Sequence, residues 1–263
     1  MTTPAAKLTD AGVPDLTAVV AELLGRGHSL LFATVSGAHL YGFASRDSDV
    51  DLRGAHLLPL REVIGLREGE HTRTRMWDRD GLDMDLVTHD LLKFARLMLR
   101  RNGYVLEQLL SPLVVHTTEV HAELAELAPG VLTRDHAHHY RGFARTQWRL
   151  YERNGELKPL LYTFRVLLTG IHLMRSGEVQ PHLPTLMELV DTPRYVAELI
   201  ARKAEAEHGR AATAAGDPER VRGDVAALHA VLDEEQARSP LPLRPTAYDA
   251  LHDLVVRTRA AAG

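Results

Sequence analysis

The sequence contains no cysteine, which excludes disulfides, thiolate zinc sites and cysteine nucleophiles. Lysine is almost absent. Of 31 basic residues only Lys7, Lys93, Lys158 and Lys203 are lysine, and the rest are arginine. Arginine is the better bidentate anion ligand, but codon bias in a chain rich in Ala and Gly explains the usage equally well, so it carries no weight alone. No apolar run approaches the roughly 20 residues that a membrane span needs. Met1 to Leu16 holds one Lys and no apolar stretch, so a signal peptide is not expected. The net charge of -4 argues against a protein that coats nucleic acid generally, although an average can conceal local patches. A soluble, cytoplasmic protein without a membrane partner is the expectation. Its 263 residues, 45% hydrophobic and 25% charged, suit one large domain or two modest ones.

The texture changes near residue 90. Before it, short apolar stretches at Leu30 to Val35, Val50 to Leu57 and Leu82 to Val87 read as strands, the first continuous enough to be buried on both faces. Pro14 to Leu24 reads as an amphipathic helix. After residue 90, apolar residues recur at helical spacing. Helices are expected over Asp90 to Arg101, Thr118 to Leu127, Asp135 to Arg153, Pro159 to Arg175, Leu183 to Leu189, Pro193 to Arg210, Pro218 to Arg238 and Pro245 to Arg259. The pattern is a small α/β unit followed by a helical one.

The chemistry concentrates in the first strands. Ser48-Asp49-Val50-Asp51-Leu52-Arg53-Gly54 places two carboxylates at i and i+2, which in a strand point to the same side. Such a pair repels unless a cation sits between the charges. Mg²⁺ suits the role, because it takes carboxylate oxygens and is completed by substrate phosphates. An isolated Asp-x-Asp is common and means little. Here Leu30 to Val35 runs directly into Ser36-Gly37-Ala38, where a strand ending in small residues before a helical turn offers backbone N–H groups to a phosphate. Downstream, Asp83 and Asp85 share a strand face, and either could complete a three-carboxylate cluster. Cradle, acid pair and third acid, in that order, describe metal-dependent phosphoryl or nucleotidyl transfer.

These residues resemble a known family. Ser36-Gly37-Ala38-His39-Leu40-Tyr41-Gly42, continued by Ser48 to Gly54, is similar to the DNA polymerase beta-like nucleotidyltransferase superfamily, and more narrowly to predicted nucleotidyltransferases of the YcgL/RlaP type. Asp85 to Phe94 resembles the family's third-acid strand and following helix. Asn102 and Glu107 resemble its Asn-Pro-x-x-Leu-Glu segment, with Gly103 at the proline. Lys158, Tyr162 and Arg165 resemble its Lys…Tyr…Arg helix. The resemblance covers residues 28 to 175. It implies an α+β fold, with a small mixed-sheet polymerase-beta-like core over 1–115 and a C-terminal helical domain over 116–263.

The implied reaction moves a nucleoside monophosphate from an NTP, with ATP the expected substrate, to an acceptor hydroxyl. Asp49, Asp51 and Asp85 are then the catalytic and metal-binding acids for two Mg²⁺ ions, with Mn²⁺ as a substitute. Ser36, Gly37, Ala38, Ser48, Arg53, Lys158, Tyr162 and Arg165 are the expected nucleotide-binding residues, with orientation of an active-site acid or a purely structural role as the alternatives for Arg53. The family's Gly-Ser is Gly37-Ala38 here, so a hydroxyl that would meet a phosphate is missing. A lost hydrogen bond to a charged group costs about 1.5–3 kcal/mol. A degenerate nucleotide- or RNA-binding module, and an enzyme that adds AMP to a protein partner, are the alternatives.

The helical half adds a second clue. Arg141, Arg145, Arg149 and Arg153 recur at i+4, where like charges repel by a few tenths of a kcal/mol per pair. An anion lying along the stripe would relieve this, so RNA is the expected acceptor and these four its expected contacts. Intramolecular ion pairs would relieve it as well. Lys158, Tyr162 and Arg165 share a helix face. Asp135-His136-Ala137-His138-His139 reads as a helix start with solvent-facing imidazoles rather than a metal site. Arg-x4–6-His pairs, a spacing found in RNases of the HEPN type, are no commoner than the about four or five that chance gives. Oligomeric state is not readable from the sequence.

Overall fold

The structure is a computed structural model in which residues 4–25, 29–45, 48–79, 81–205 and 217–262 are described. It divides into two compact units, one of Met1–Leu40, Asp49–Val131 and Arg244–Gly263, the other of Tyr41–Ser48 and Leu132–Leu243. No helix among the described residues is long and apolar enough to cross a membrane.

The chain begins with α1 (Pro4–Asp10), α2 (Thr17–Gly25), β1 (Leu30–Val35), α3 (Gly37–Tyr41), β2 (Val50–His56) and α4 (Arg61–Ile64). The hairpin of β3 (Thr72–Arg79) and β4 (Leu82–Asp90) follows, then α5 (Leu91–Met98), α6 (Gly103–Leu109), β5 (Val114–His116) and α7 (Glu119–Leu127). The five strands form one mixed sheet in the order β3-β4-β2-β1-β5, with β2 and β4 parallel and the other pairs antiparallel. β4 alternates in burial, Met84, Leu86, Thr88 and Asp90 facing inward, as a strand covered on one face must. Phe32, fully buried on β1, packs edge-on to Phe94 of α5 at 5.3 Å and stacks on His121 of α7 at 4.5 Å. This core hides one face of the sheet. The opposite face carries Asp51 and Asp85.

The helical unit comprises α8 (Ala137–Asn154), α9 (Leu157–Ser176), α10 (Leu183–Leu189), α11 (Tyr195–Glu205) and α12 (Pro218–Arg238). The expected helix over 193–210 is observed to Glu205, and 206–210 lie outside the described residues. α8 ends at Gly155, whose φ of +69° is a left-handed cap that a side chain would strain. The next helix, α9, is apolar nearly all round, and most of its residues are buried. Gly170 admits Tyr140 of α8, since a Cβ there would lie 2.9 Å from the tyrosine Cβ.

The two units are not divided at the expected residue 116, since residues 116–131 and α13 (Tyr248–Ala261) group with the sheet unit. A buried ion pair joins α13 to this unit. Arg259 of α13 donates to both oxygens of Asp90 at 2.9 and 3.0 Å and also to the Leu58 carbonyl. Asp90 further accepts from the backbone N–H of Leu58 and of Leu92, both at 3.0 Å, so it caps α5 while fully buried. Burial would raise its pKa, but Arg259 and these N–H donors outweigh that and hold it below the usual carboxylate value. The imidazoles at the start of α8 are also not all solvent-facing. His136 is buried, and its ring accepts from the Thr133 N–H at 3.2 Å. His139 is half-buried, and burial together with nearby Arg165 pushes its pKa down to about 4.

Candidate active site

Strand register assembles the site. In the parallel β2–β4 pair, Asp51 is the direct partner of Asp85, so the two carboxylates stand side by side on one face. Asp83 stands two residues away, exposed and opposite Asp78 of β3. The antiparallel β1–β2 pair ends with the Ser36 N–H donating to the Asp51 carbonyl at 2.9 Å. That places Gly37 against Asp51. Gly37 has φ +63°, and a Cβ there would fall 1.8 Å from Asp51 Oδ2. Only glycine allows this approach.

A cation already lies between the acids. Arg53 Nη2 donates to Asp51 Oδ1 at 2.6 Å and to Asp85 Oδ2 at 2.8 Å. Burial works against the charge of Arg53, but Tyr104 and the two carboxylates more than offset it and raise its pKa. The acids keep about a quarter of their side-chain surface, 25% for Asp51 and 29% for Asp85. Asp49 is exposed, one residue before β2. Tyr104, at the start of α6, meets Arg53 through its hydroxyl at 3.1 Å. Sequence reasoning passed over Tyr104. Its nearest signal was the adjacent Asn102, whose side chain accepts the Tyr104 N–H at 3.2 Å as the N-cap.

Among the described residues no group of three or more His, Asp or Glu side chains is arranged to hold a metal ion. The two adjoining acids nevertheless suit Mg²⁺, being hard oxygen donors with open surface that substrate phosphates would complete. The Gly37 backbone lies so close to the Asp51 carboxylate that no side chain fits between them. Beside it the Ser36 hydroxyl is buried without a hydrogen-bond partner among the described residues, an arrangement that is costly unless a ligand supplies one. Ala38 is buried and contributes no hydroxyl.

The other expected residues lie in the helical unit. Ser48 is buried, accepting the Ser45 N–H at 2.9 Å and pairing with the Ser45 hydroxyl at 3.0 Å, while Lys203 Nζ donates to that hydroxyl at 3.2 Å. Lys158 and Tyr162 are half-buried. Arg165 is fully buried, with its guanidinium 3.8 Å from the Tyr41 ring centre, and Tyr162 packs edge-on to Tyr41 and Phe43 at 5.5 and 5.4 Å. On α8, Arg141 is engaged by Asp233, by Gln236 at 2.7 Å and by His138 at 2.9 Å. Arg145, Arg149 and Arg153 are exposed.

Comparison with known proteins supplies the lineage. The sequence model of RlaP, described as an RNA repair pathway DNA polymerase beta family, matches residues 14–257. An uncharacterized protein of Methanocaldococcus jannaschii is 31% identical over 154 residues, which is 56% of this chain and 61% of that protein, so the match spans about three fifths of the relative's length. The uncharacterized protein YcgL of Bacillus subtilis is 30% identical over 190 residues, 69% of this chain and 72% of its own. A solved nucleotidyltransferase-like protein from Exiguobacterium sibiricum aligns with a TM-score of 0.34 and 10% identity over 84% of this chain and 74% of its own.

Proposed function

The chain belongs to the RNA repair pathway DNA polymerase beta family, and from that premise we propose that it transfers a nucleoside monophosphate from an NTP, ATP in the first instance, to an acceptor hydroxyl. The acceptor oxygen forms a bond to the α-phosphorus. The bond from that phosphorus to the bridging oxygen breaks, and pyrophosphate leaves with its electron pair. The hydroxyl proton passes to a base, a role proposed for Asp85. Divalent ions held by Asp49, Asp51 and Asp85, two Mg²⁺ or Mn²⁺, would neutralise phosphate charge and sharpen the nucleophile.

The observation that carries this reading is the register match of Asp51 with Asp85 beside the Gly37 backbone. The chain's own part is to hold the acids, to offer backbone N–H groups at Gly37 and Ala38 to the β- and γ-phosphates, and to let the Gly37 backbone approach the Asp51 carboxylate. The Ser36 hydroxyl, buried and without a partner among the described residues, is proposed to take the place of the serine hydroxyl that Ala38 lacks. RNA is the proposed acceptor, supported by the family's description and by the exposed Arg145, Arg149 and Arg153.

Ala38 favours a second reading, a module that binds nucleotide without turning it over. Incubation with each labelled NTP, Mg²⁺ and either cellular RNA or lysate protein separates the two readings. Label on RNA with pyrophosphate release is the expected result, and label on protein would redirect the acceptor. Nucleotide binding with no pyrophosphate under any condition would overturn transfer in favour of the binding module.

A further inference from the structure

Every N–H of the Arg53 guanidinium has an acceptor inside the sheet unit. Nε donates to the Tyr104 hydroxyl at 3.1 Å, Nη1 to the carbonyls of Leu52 at 2.9 Å and Asp85 at 2.7 Å, and Nη2 to Asp51 Oδ1 at 2.6 Å and Asp85 Oδ2 at 2.8 Å. Arginine has five N–H donors in one rigid plane, so this set saturates it. No donor is left for a phosphate without breaking a bond already made. Of the roles expected for Arg53, this set favours orientation of the acids over direct contact with a phosphate.

We propose that Arg53 is the built-in cation of this site, a positioning residue that yokes Asp51 to Asp85 and keeps the pair's hold on a divalent ion weak until nucleotide phosphates arrive, and that Tyr104 is the residue that aims it. The inference deepens the nucleotidyl-transfer reading and rests on it for the identity of the ligand. Its physical basis is simple. Two adjacent carboxylates attract a dication strongly, and a guanidinium within 2.8 Å of both cancels one of their two charges and occupies an oxygen of each. Phosphates add negative charge and further oxygen ligands, so the ion and the nucleotide enter as partners rather than in sequence.

Tyr104 contributes aim without charge. Its position is set independently of the acids, because Asn102 caps the first turn of α6 through the Tyr104 N–H. Removing the phenol oxygen would leave Nε without its acceptor in a site where Arg53 is only 8% exposed, and the guanidinium plane would turn to recover one. Charge and orientation can therefore be tested separately.

The test measures Mn²⁺ binding to the full chain by calorimetry, alone and with an NTP analogue whose α–β bridging oxygen is replaced by a methylene. Wild type should bind Mn²⁺ weakly alone and at least about tenfold more tightly with the analogue present. Arg53→Gln should tighten Mn²⁺ binding alone by about tenfold and flatten the dependence on the analogue. Arg53→Lys, which keeps the charge, should stay near wild type in Mn²⁺ affinity. Tyr104→Phe should leave that affinity within about twofold but lower kcat about tenfold at unchanged KM for NTP, as loss of orientation does. Circular dichroism and thermal midpoint establish that each variant is folded. Weaker or unchanged Mn²⁺ binding in a folded Arg53→Gln overturns the charge role, and so does a shifted affinity in Arg53→Lys should Arg53→Gln not fold. Full turnover in Tyr104→Phe overturns the aiming role. If wild type shows the Mn²⁺ pattern but never transfers a nucleotide, the transfer reading fails and the Arg53 role stands. Transfer accompanied by a flat Mn²⁺ series has the opposite meaning.

Discussion

The sheet unit and the helical unit each bury an arginine, and the groups around the two differ in how much surface they keep. In the sheet unit Arg53 meets two carboxylates, a phenol and two carbonyls. In the helical unit Arg165 lies 3.8 Å above the Tyr41 ring with Tyr162 at 5.6 Å, a cation–π contact in a desolvated setting. The partners of Arg53 retain open surface, and the neighbours of Arg165 are mostly core. A cation that holds partly exposed anions prepares a site, whereas one that stacks in the interior chiefly braces a helix. The sheet unit contains both extremes, since the Asp90–Arg259 pair is as buried as Arg165, at 0% and 7% of side-chain surface. The exposure of the anion, more than the presence of an ion pair, distinguishes chemistry from scaffolding.

The sharpest break of this contrast is at the acids. Asp51→Asn should lower transfer by about a thousandfold or more while the fold persists, because a metal clamp supplies several kcal/mol to the transition state. Asp85→Asn should fall almost as far, but Asp83→Asn, exposed opposite Asp78, by no more than about threefold. Steady-state rates on the three variants decide it, and a larger loss at Asp83 would shift the assignment by two residues.

The buried pair should respond in stability and not in chemistry. Arg259→Met leaves Asp90 charged and unpaired in the core, a change that costs about 3–5 kcal/mol. Adding Asp90→Leu to that variant should recover part of the loss, since no uncompensated charge then remains. Denaturant unfolding measures both. A double variant less stable than Arg259→Met alone would mean that the other Asp90 bonds, to Leu58 and Leu92, dominate.

In the helical unit the corresponding test is pH. His139 is held neutral in the fold, with its pKa pushed down to about 4 from 6.5. Below about pH 6.5 the unfolded chain takes a proton that the folded chain refuses, so stability is present above that pH and declines as pH falls toward 4. The contribution is at most about 3 kcal/mol. His139→Gln should flatten the decline, read as the pH dependence of the unfolding midpoint. An unaltered slope would assign it to the other buried histidines.

The smallest effect concerns the arginine stripe. Since Arg141 is already engaged by Asp233 and Gln236, only the exposed members should meet RNA. Arg145→Gln with Arg149→Gln should lower the slope of log affinity against log salt by about 0.7–0.9 for each phosphate that is no longer neutralised. Arg141→Gln should leave the slope unchanged and lower the thermal midpoint. If the double variant binds RNA as wild type does, the stripe is not an acceptor surface.

Local pattern carried much of this in advance. Short apolar stretches marked β1, β2 and β4, the first by a continuous run, and spacing marked α8, α9, α10 and α12 to within two residues. The elements that went unread are those local pattern marks weakly. β3 is an arginine-rich edge strand with exposed Met76, and β5 has only three residues. The helix face of Lys158, Tyr162 and Arg165 was correctly periodic, but periodicity does not say which side is solvent. Arg165 proved fully buried, with its guanidinium over the Tyr41 ring.

By itself the sequence determined which residues could do chemistry. Two acids at strand spacing, a glycine where the chain must turn with positive φ, and a third acid on another alternating strand are all set by neighbours a few positions away. Only the tertiary structure decided which of them meet. Parallel register chose Asp85 over Asp83 as the partner of Asp51. Helix α6 brought Tyr104 to Arg53 across 51 positions. Helix α13 brought Arg259 to Asp90 across 169, carrying the C-terminal helix into the sheet unit. Such contacts follow from how strands pair and helices pack to bury apolar surface, a global outcome that no local spacing encodes.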